Sequence, residues 1–264
     1  MEYLIYRRKK TLNKVLVVAG VSFLAYWAAI SCKVDLSIFW QGIPKGIEFI
    51  GFMFPPDWEA LLEMIYPAIE TVLLAFMSTI VGAILSFFFA LAAASNVSPP
   101  WLRNFSRFLL ATERSLPEII ILLLLISALG LGPFPGVIAM SIGCIGMLGR
   151  LFGDAMEEIN PATLESIASV GARRWQVIRY GIIPQVLPSL IANTIFRFEV
   201  NIRLSVLLGA VGAGGIGYQL FYSFQVLEYQ RATTAILVIL ILVFTSERLS
   251  KLLIKKIAPE AKLK

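Results

Sequence analysis

Residues 69 to 94, "IETVLLAFMSTIVGAILSFFFALAAA", contain a single charged side chain, Glu70, in a stretch long enough to cross a bilayer with tilt. A chain carrying such a run, and others like it, cannot hide all of them in a soluble core of its own size. With no water in hydrocarbon, each run must satisfy its backbone N–H and C=O groups internally, as a helix does. The expected fold class is therefore an all-α polytopic membrane protein. Composition agrees: hydrophobic residues make up 58% and charged residues 15% of the 264 residues.

Six spans are expected. They run from about Val15 to Ser31, from Ile69 to Ala94, over 115 to 130, over 136 to 153, from Pro188 to about Gly209 and over 232 to 250. The third is the remainder of a region broken by Pro117. Basic residues then set the orientation. Arg7, Arg8, Lys9, Lys10 and Lys14 precede the first span. Arg103, Arg107 and Arg114 lie between the second and third; Arg150, Arg173, Arg174 and Arg179 lie between the fourth and fifth. Arg248, Lys251, Lys255, Lys256, Lys262 and Lys264 follow the sixth. These are eighteen of the 23 Lys and Arg, all on one side of an even-span topology. The opposite segment, 33 to 66, sets Lys33 and Lys45 against Asp35, Glu48, Asp57, Glu59 and Glu63. Both termini are expected in the cytoplasm, and the net charge of +6 reflects this bias rather than a nucleic-acid partner. The "AISC" that closes the first run loosely resembles a lipoprotein cleavage box. Ala29 stands where such a box has a larger aliphatic, so the run reads as an uncleaved span.

Several chemistries lack their residues. The sequence has no histidine, and Cys32 and Cys144 form neither a disulfide framework nor a metal cluster. No G-x-x-x-x-G-K-[ST] loop occurs, so ATP has no P-loop here. "GAGGIG" at 212 to 217 matches a dinucleotide fingerprint, but membrane spans replace the strand that this motif requires. Gly209, Gly212, Gly214, Gly215 and Gly217 read instead as a flexible bend, or a close helix approach, at the outer end of the fifth span.

One polar interruption stands out, "INPATLESIASVGARRWQVIRYGIIPQVLP" at 159 to 188. Asn160 and Pro161 are an N-cap and a first helical residue. Leu164, Ile167, Ala168 and Gly171 recur at helical spacing as one small apolar ridge, with Glu165, Ser166 and Ser169 opposite. Gly171 suits the left-handed residue beyond a helix end. A second helix, "ARRWQVIRY", places Trp175 and Ile178 on one face, is stopped by Gly181 and Pro184, and hands over to a span opened by Pro188. The residues alone fit either an ordinary surface loop or a docking surface for another protein.

The stretch resembles the ATPase-docking loop of binding-protein-dependent ABC importer permeases: Glu-Ala-Ala, three residues, Gly, nine residues, Ile-x-Leu-Pro. Glu165, Gly171 and Ile183-Pro184 match, while Ser166 and Ile167 replace the alanines and Gly181 replaces the pattern's Ile. The docking residues implied are Glu165, Ala168, Gly171, Ala172, Arg173, Trp175 and Pro184. "FPPDWE", "GLGPFPGVIAM", "GRLFGDAMEEINP", "FRFEVNIRLSVLLGAVGAGGIG" and "YQRATTAILVILILV" extend the resemblance over roughly 54 to 254, to the permease subunit of phosphonate importers and their phosphite and hypophosphite relatives. It implies a type I ABC importer permease fold in a bacterial inner membrane. It also implies a homodimer, two copies of a separate ATPase that binds ATP and Mg²⁺, and an extracytoplasmic substrate-binding protein. No cofactor would be bound by this chain, a non-catalytic subunit working by alternating access. Residues 1 to 66 then form a basic segment, first span and extracytoplasmic segment. Residues 67 to 254 form the transmembrane core, with its docking loop at 160 to 184, and 255 to 264 a cytoplasmic tail.

Charges within the spans are costly, about 2.5–3.5 kcal/mol each on insertion scales, and so pair or line a wet path. Glu199 and Arg203 are four apart, in the favourable order for a helical ion pair; Arg197 and Asn201 share another face. Arg197 or Arg203 suits an oxyanion passing along the path, while a structural ion pair between spans accounts for the same residues. Arg114 and Glu118, flanking Pro117, are further path candidates; Asp154, Glu157 and Glu158 read as a solvated cytoplasmic face. The competing classes are a gradient-driven carrier or channel, which leaves the docking loop unexplained, an intramembrane enzyme without a nucleophile–base pair, and an inert anchor.

Overall fold

The computed structural model describes residues 2 to 257, and side chains from Lys14 onward except Val15. Lys262 and Lys264 of the expected tail, and the side chains of Arg7, Arg8, Lys9 and Lys10, lie outside this description. Every regular element among the described residues is helical, as the fold class requires.

Two compact units divide the chain, Met1–Phe52 and Met53–Lys264. The first contains α1 (Glu2–Ser31) and α2 (Leu36–Met53). The sequence reading missed α2. Its start is set by Asp35, whose carboxylate accepts the Ser37 N–H at 2.7 Å and so satisfies a donor that the helix cannot.

The second unit is built on α3 (Leu61–Ala93) and α6 (Pro133–Glu157). Lipid gives no hydrophobic drive for helix association, so close packing of small residues must supply it. Gly82, Ser86 and Ala90 of α3 and Gly143, Cys144 and Gly149 of α6 are all buried. A Cβ built on Gly82 would fall 2.2 Å from the Cys144 Cβ. Ser86 Oγ donates across the contact to the Cys144 carbonyl at 3.2 Å. Between these helices lie α4 (Pro100–Arg114) and α5 (Glu118–Leu129), with Pro117 as the N-cap of α5. The expected break at Pro117 is present, and it leaves α5 only 12 residues long.

The fifth span departs from expectation. After α7 (Pro161–Ser169) and a single turn, α8 (Arg174–Gln176), a π-helical turn over Val177–Ile182 runs directly into α9 (Ile183–Leu208). Gly181 and Pro184 therefore do not stop the helix, and Pro188 lies inside α9 rather than opening it. The π-turn shifts the bonding pattern without ending it, and Pro184 follows at the start of α9. A second π-turn, Gly209–Ala213, leads to α10 (Gly215–Gln225), bent 54° from the segment before it, and α11 (Tyr229–Ile257) completes the fold.

By length and apolarity, two helices, Leu61–Ala93 and Pro133–Glu157, cross a membrane unaided. Two bent pairs, Leu16–Ser31 with Leu36–Met53 and Arg174–Ala213 with Gly215–Gln225, raise the number to four at most among the described residues. The six expected spans are not all reproduced. The break at Pro117 leaves α5, at 12 residues, among the shorter apolar helices.

Candidate functional site

The polar residues of α9 separate into two groups. Arg197 is 4% exposed and spends its three nitrogens on three partners. Nη2 lies 3.2 Å from Glu118 Oε1 of α5, Nε 3.3 Å from Cys144 Sγ and Nη1 3.3 Å from Met147 Sδ, both of α6. One turn on, the fully buried Asn201 donates from Nδ2 to Thr79 Oγ1 at 2.9 Å, Ser78 Oγ at 3.3 Å and Cys144 Sγ at 3.2 Å. Its Oδ1 is buried without a partner. Thiol and thioether are weak acceptors, so Glu118 provides the compensating charge that a buried guanidinium needs. Gly143 makes room for this pair, since a Cβ there would lie 2.6 Å from Glu118 Cγ and 3.1 Å from Arg197 Nη2.

Glu199 and Arg203 form the expected (i, i+4) ion pair, but they belong to another network. Arg203 also lies 3.8 Å from Glu247 of α11, which in turn pairs with Lys251. The path candidates are thus not one constellation: Arg197, Asn201 and Glu118 converge, whereas Glu199 and Arg203 face α11. Arg114 joins neither group and lines a cavity between α4 and α6. Its neighbour Glu113 has Oε2 buried without a partner against Gly146, where a Cβ would overlap it at 1.4 Å.

The sequence reading missed Ser78, Thr79, Cys144 and Met147 as polar partners. Their signal was available, since Thr71, Ser78, Thr79 and Ser86 recur at helical spacing through an otherwise apolar run. Nor is the acidic end of α6 simply solvated. Glu157 pairs with Arg107 and accepts the Ser95 N–H, tying α6 to α4 and the end of α3, while Arg150 and Asp154 pair at 2.8 Å.

In the polar loop, Asn160 Oδ1 accepts the Ala162 N–H at 3.0 Å and starts α7. Gly171 takes φ +82°, which only glycine adopts without strain. The anticipated apolar ridge divides in two. Leu164 packs against a core of Phe152, Met156, Ile182 and Val186, and Leu164 and Ile167 both abut Gly181, where a Cβ would meet Ile167 Cδ1 at 2.9 Å. Ala168 and Gly171 stay exposed with Glu165, as do Val170, Arg173 and Trp175. Trp175 and Ile178 do not act as one face, because Ile178 packs inward while Trp175 is 60% exposed. Ala172 is half-buried and Pro184 exposed. The outcome is an anchored loop with a small-residue surface and one protruding indole.

The glycine bend is packed tightly. Gly212, Gly214 and Gly215 have φ of +115°, +87° and +70°. The Gly215 and Ile216 N–H groups, uncapped by Gly214, are taken up from α3 by Glu70 Oε2 at 2.8 Å and Thr71 Oγ1 at 2.9 Å.

Residues 82–259 match the family of binding-protein-dependent transport system inner membrane components. The phosphite transport system permease protein PtxC of Stutzerimonas stutzeri is 34% identical over 247 residues, covering 93% of this chain and 89% of that protein. The phosphate-import permease protein PhnE of Mycolicibacterium smegmatis is 40% identical over 200 residues; the match covers 75% of this chain and 38% of that longer protein. Among solved structures, a chain of the MetNI methionine ABC transporter in inward-facing conformations superposes with a TM-score of 0.67 at 19% identity, over 76% of this chain and 99% of that one. The fold is therefore that of type I ABC importer permeases, and the carrier, enzyme and anchor alternatives give way. This chain belongs to the binding-protein-dependent inner membrane components: it is a non-catalytic ABC permease subunit, with ATP hydrolysis carried out by a separate subunit.

Proposed function

We propose that this chain forms the translocation path of an ATP-driven importer of a small phosphorus oxyanion: phosphonate, phosphite or hypophosphite. The observation that carries the reading is near-full-length similarity to a permease named for phosphite transport, with 93% of this chain aligned. The assembly has two copies of this chain, two ATPase subunits and an extracytoplasmic binding protein, with both termini cytoplasmic. ATP and Mg²⁺ sit on the ATPase, and this chain binds no cofactor of its own. Arg197, held by Glu118, is the candidate path cation, with Asn201 beside it; Glu199 and Arg203 brace α9 against α11, and Arg114 stands apart from both. The glycine bend at 212, 214, 215 and 217 is where α9 and α10 would move against α3 as access alternates.

The test is uptake of labelled phosphonate, phosphite and phosphate into proteoliposomes holding this chain, its ATPase and its binding protein. ATP-dependent accumulation of phosphonate or phosphite is expected. Uptake that follows an ion gradient and ignores ATP would instead describe a carrier, and preference for phosphate would overturn the substrate assignment.

The exposed face of the polar loop, Glu165, Ala168, Gly171, Arg173 and Trp175, is the proposed ATPase contact, with Ala172 and Pro184 fixing its course. Ala168→Leu adds bulk where the side chain is exposed and α7 tolerates it. It should reduce substrate-stimulated ATPase activity at least roughly tenfold, the loss of one well-packed contact of about 1.4 kcal/mol, with thermal stability unchanged. Gly171→Leu should do the same with an added stability loss of about 1–2 kcal/mol from the left-handed backbone. Full coupling in both variants would remove the docking role.

A further inference from the structure

We propose that the cavity between α4 and α6 binds the phosphodiester headgroup of an anionic phospholipid. Arg107, Arg114 and Arg150 line it together with Asp154, Leu110 and Gly149. Gly149 lets Leu110 of α4 approach closely, since a Cβ there would lie 2.8 Å from its Cδ2, and Gly153 leaves the space, since a Cβ there would meet nothing nearer than 3.9 Å. Two of the guanidinium groups are already held in place. Arg150 pairs with Asp154 at 2.8 Å, and Arg107 pairs with Glu157 while its Nε donates to the Ala93 carbonyl at 3.0 Å. Arg114 makes no ion pair among the described residues. Asp154 and Glu157 engage two of the arginines and the Glu113 carboxylate lies beside Arg114, so at most one positive charge is left over. That charge matches a phosphodiester, which carries one negative charge, better than a free phosphate near its dianion. The remaining N–H groups suit its two unesterified oxygens.

Helix α4 identifies the source of the phosphate. It is too short to span, and its Trp101, Phe105 and Phe108 recur at i, i+4 and i+7 on the side away from the cavity, with exposures of 72%, 57% and 66%. A helix with aromatics on one side and Arg103, Arg107 and Arg114 on the other lies in the membrane interface, at headgroup depth. Arginines at that depth meet lipid phosphate before any soluble anion.

The test uses the purified full-length chain, equilibrated with mixed phosphatidylglycerol and phosphatidylcholine micelles and examined by native mass spectrometry for retained lipid. Phosphatidylglycerol should be retained selectively. Arg114→Gln with Arg150→Gln should lower that retention roughly thirty-fold, and Arg103→Gln, on the same helix outside the cavity, should leave it unchanged. Gly153→Leu, which fills the cavity without altering charge, should lower retention in a chain whose unfolding temperature is unaltered. Equal retention of the two lipids, an equal loss in Arg103→Gln, or displacement of the lipid by inorganic phosphate would each overturn the proposal. None of these readouts depends on which anion is transported, so the site and the transport reading fail separately.

Discussion

Arg197→Met is expected to abolish ATP-dependent uptake and to lower stability by about 3 kcal/mol, the lower end of the range for breaking a buried ion pair. The lower end applies because Glu118 is 28% exposed and can recover some solvation, whereas Arg197 is 5% exposed along its side chain. The stability loss arises mainly from the carboxylate left without its cation. Removing that carboxylate as well should therefore restore much of the loss, since Arg197→Met with Glu118→Gln removes both members of the pair. The double variant separates the two roles that the sequence leaves open. If Arg197 serves the passing oxyanion, the double variant is stable, assembles with its ATPase and still does not transport. If the pair only joins α9 to α5, uptake returns along with stability. Thermal unfolding in detergent and proteoliposome uptake on the same preparations decide between these outcomes.

Gly217→Ala should prevent folding. Its Cβ would fall 1.9 Å from the Val206 carbonyl oxygen and 2.8 Å from the carbonyl carbon, both backbone atoms of α9. A flexible side chain can rotate away from such a clash, but a helix backbone cannot. The cost thus exceeds the about 1–3 kcal/mol typical of overpacked cores. Relieving it would require α10 to swing off α9, pulling the Gly215 and Ile216 N–H groups from Glu70 and Thr71. Gly153→Ala provides the matched comparison. With its nearest neighbour at 3.9 Å it should be neutral, or gain about 0.5–1 kcal/mol in helix propensity. Size-exclusion profiles of the two variants should show a monodisperse peak for Gly153→Ala and aggregate or no protein for Gly217→Ala. Folded Gly217→Ala at wild-type yield would show that the α9–α10 bend is looser than its contacts imply.

The glycine bend also shows where sequence reading reaches its limit. Five glycines within nine residues signal a sharp turn or a close approach, and both occur here. Which neighbour comes close is invisible locally, because Val206, Glu70 and Thr71 lie far from the motif or on another helix. The polar loop behaves similarly. Asn160, Pro161 and Gly171 act within a few residues of themselves, so the cap, the helix start and the positive φ were all legible. The small apolar ridge was not resolved, because periodicity places Leu164, Ile167 and Ala168 on one side of a helix without saying how much of that side the protein covers. The core takes Leu164 and Ile167 and leaves Ala168 outside. The short helix after Gly171 was read as closed by Gly181 and Pro184, both ordinary stop signals, yet a π-turn carries the backbone through them.

Alone, the sequence determined that this chain is an all-helical membrane protein, where its polar loop interrupts the apolar runs, and that Glu199 and Arg203 pair one turn apart. Each of these follows from lipid excluding unpaired backbone groups or from geometry within a few residues. Only the tertiary structure decided that Arg197 meets Glu118 across 79 residues of chain, with Cys144 between it and Asn201. A buried guanidinium must find its counter-charge, but the partner is chosen by how α5 and α9 pack against the glycines of α6, Gly143 above all, and that information is spread over three helices distant in sequence.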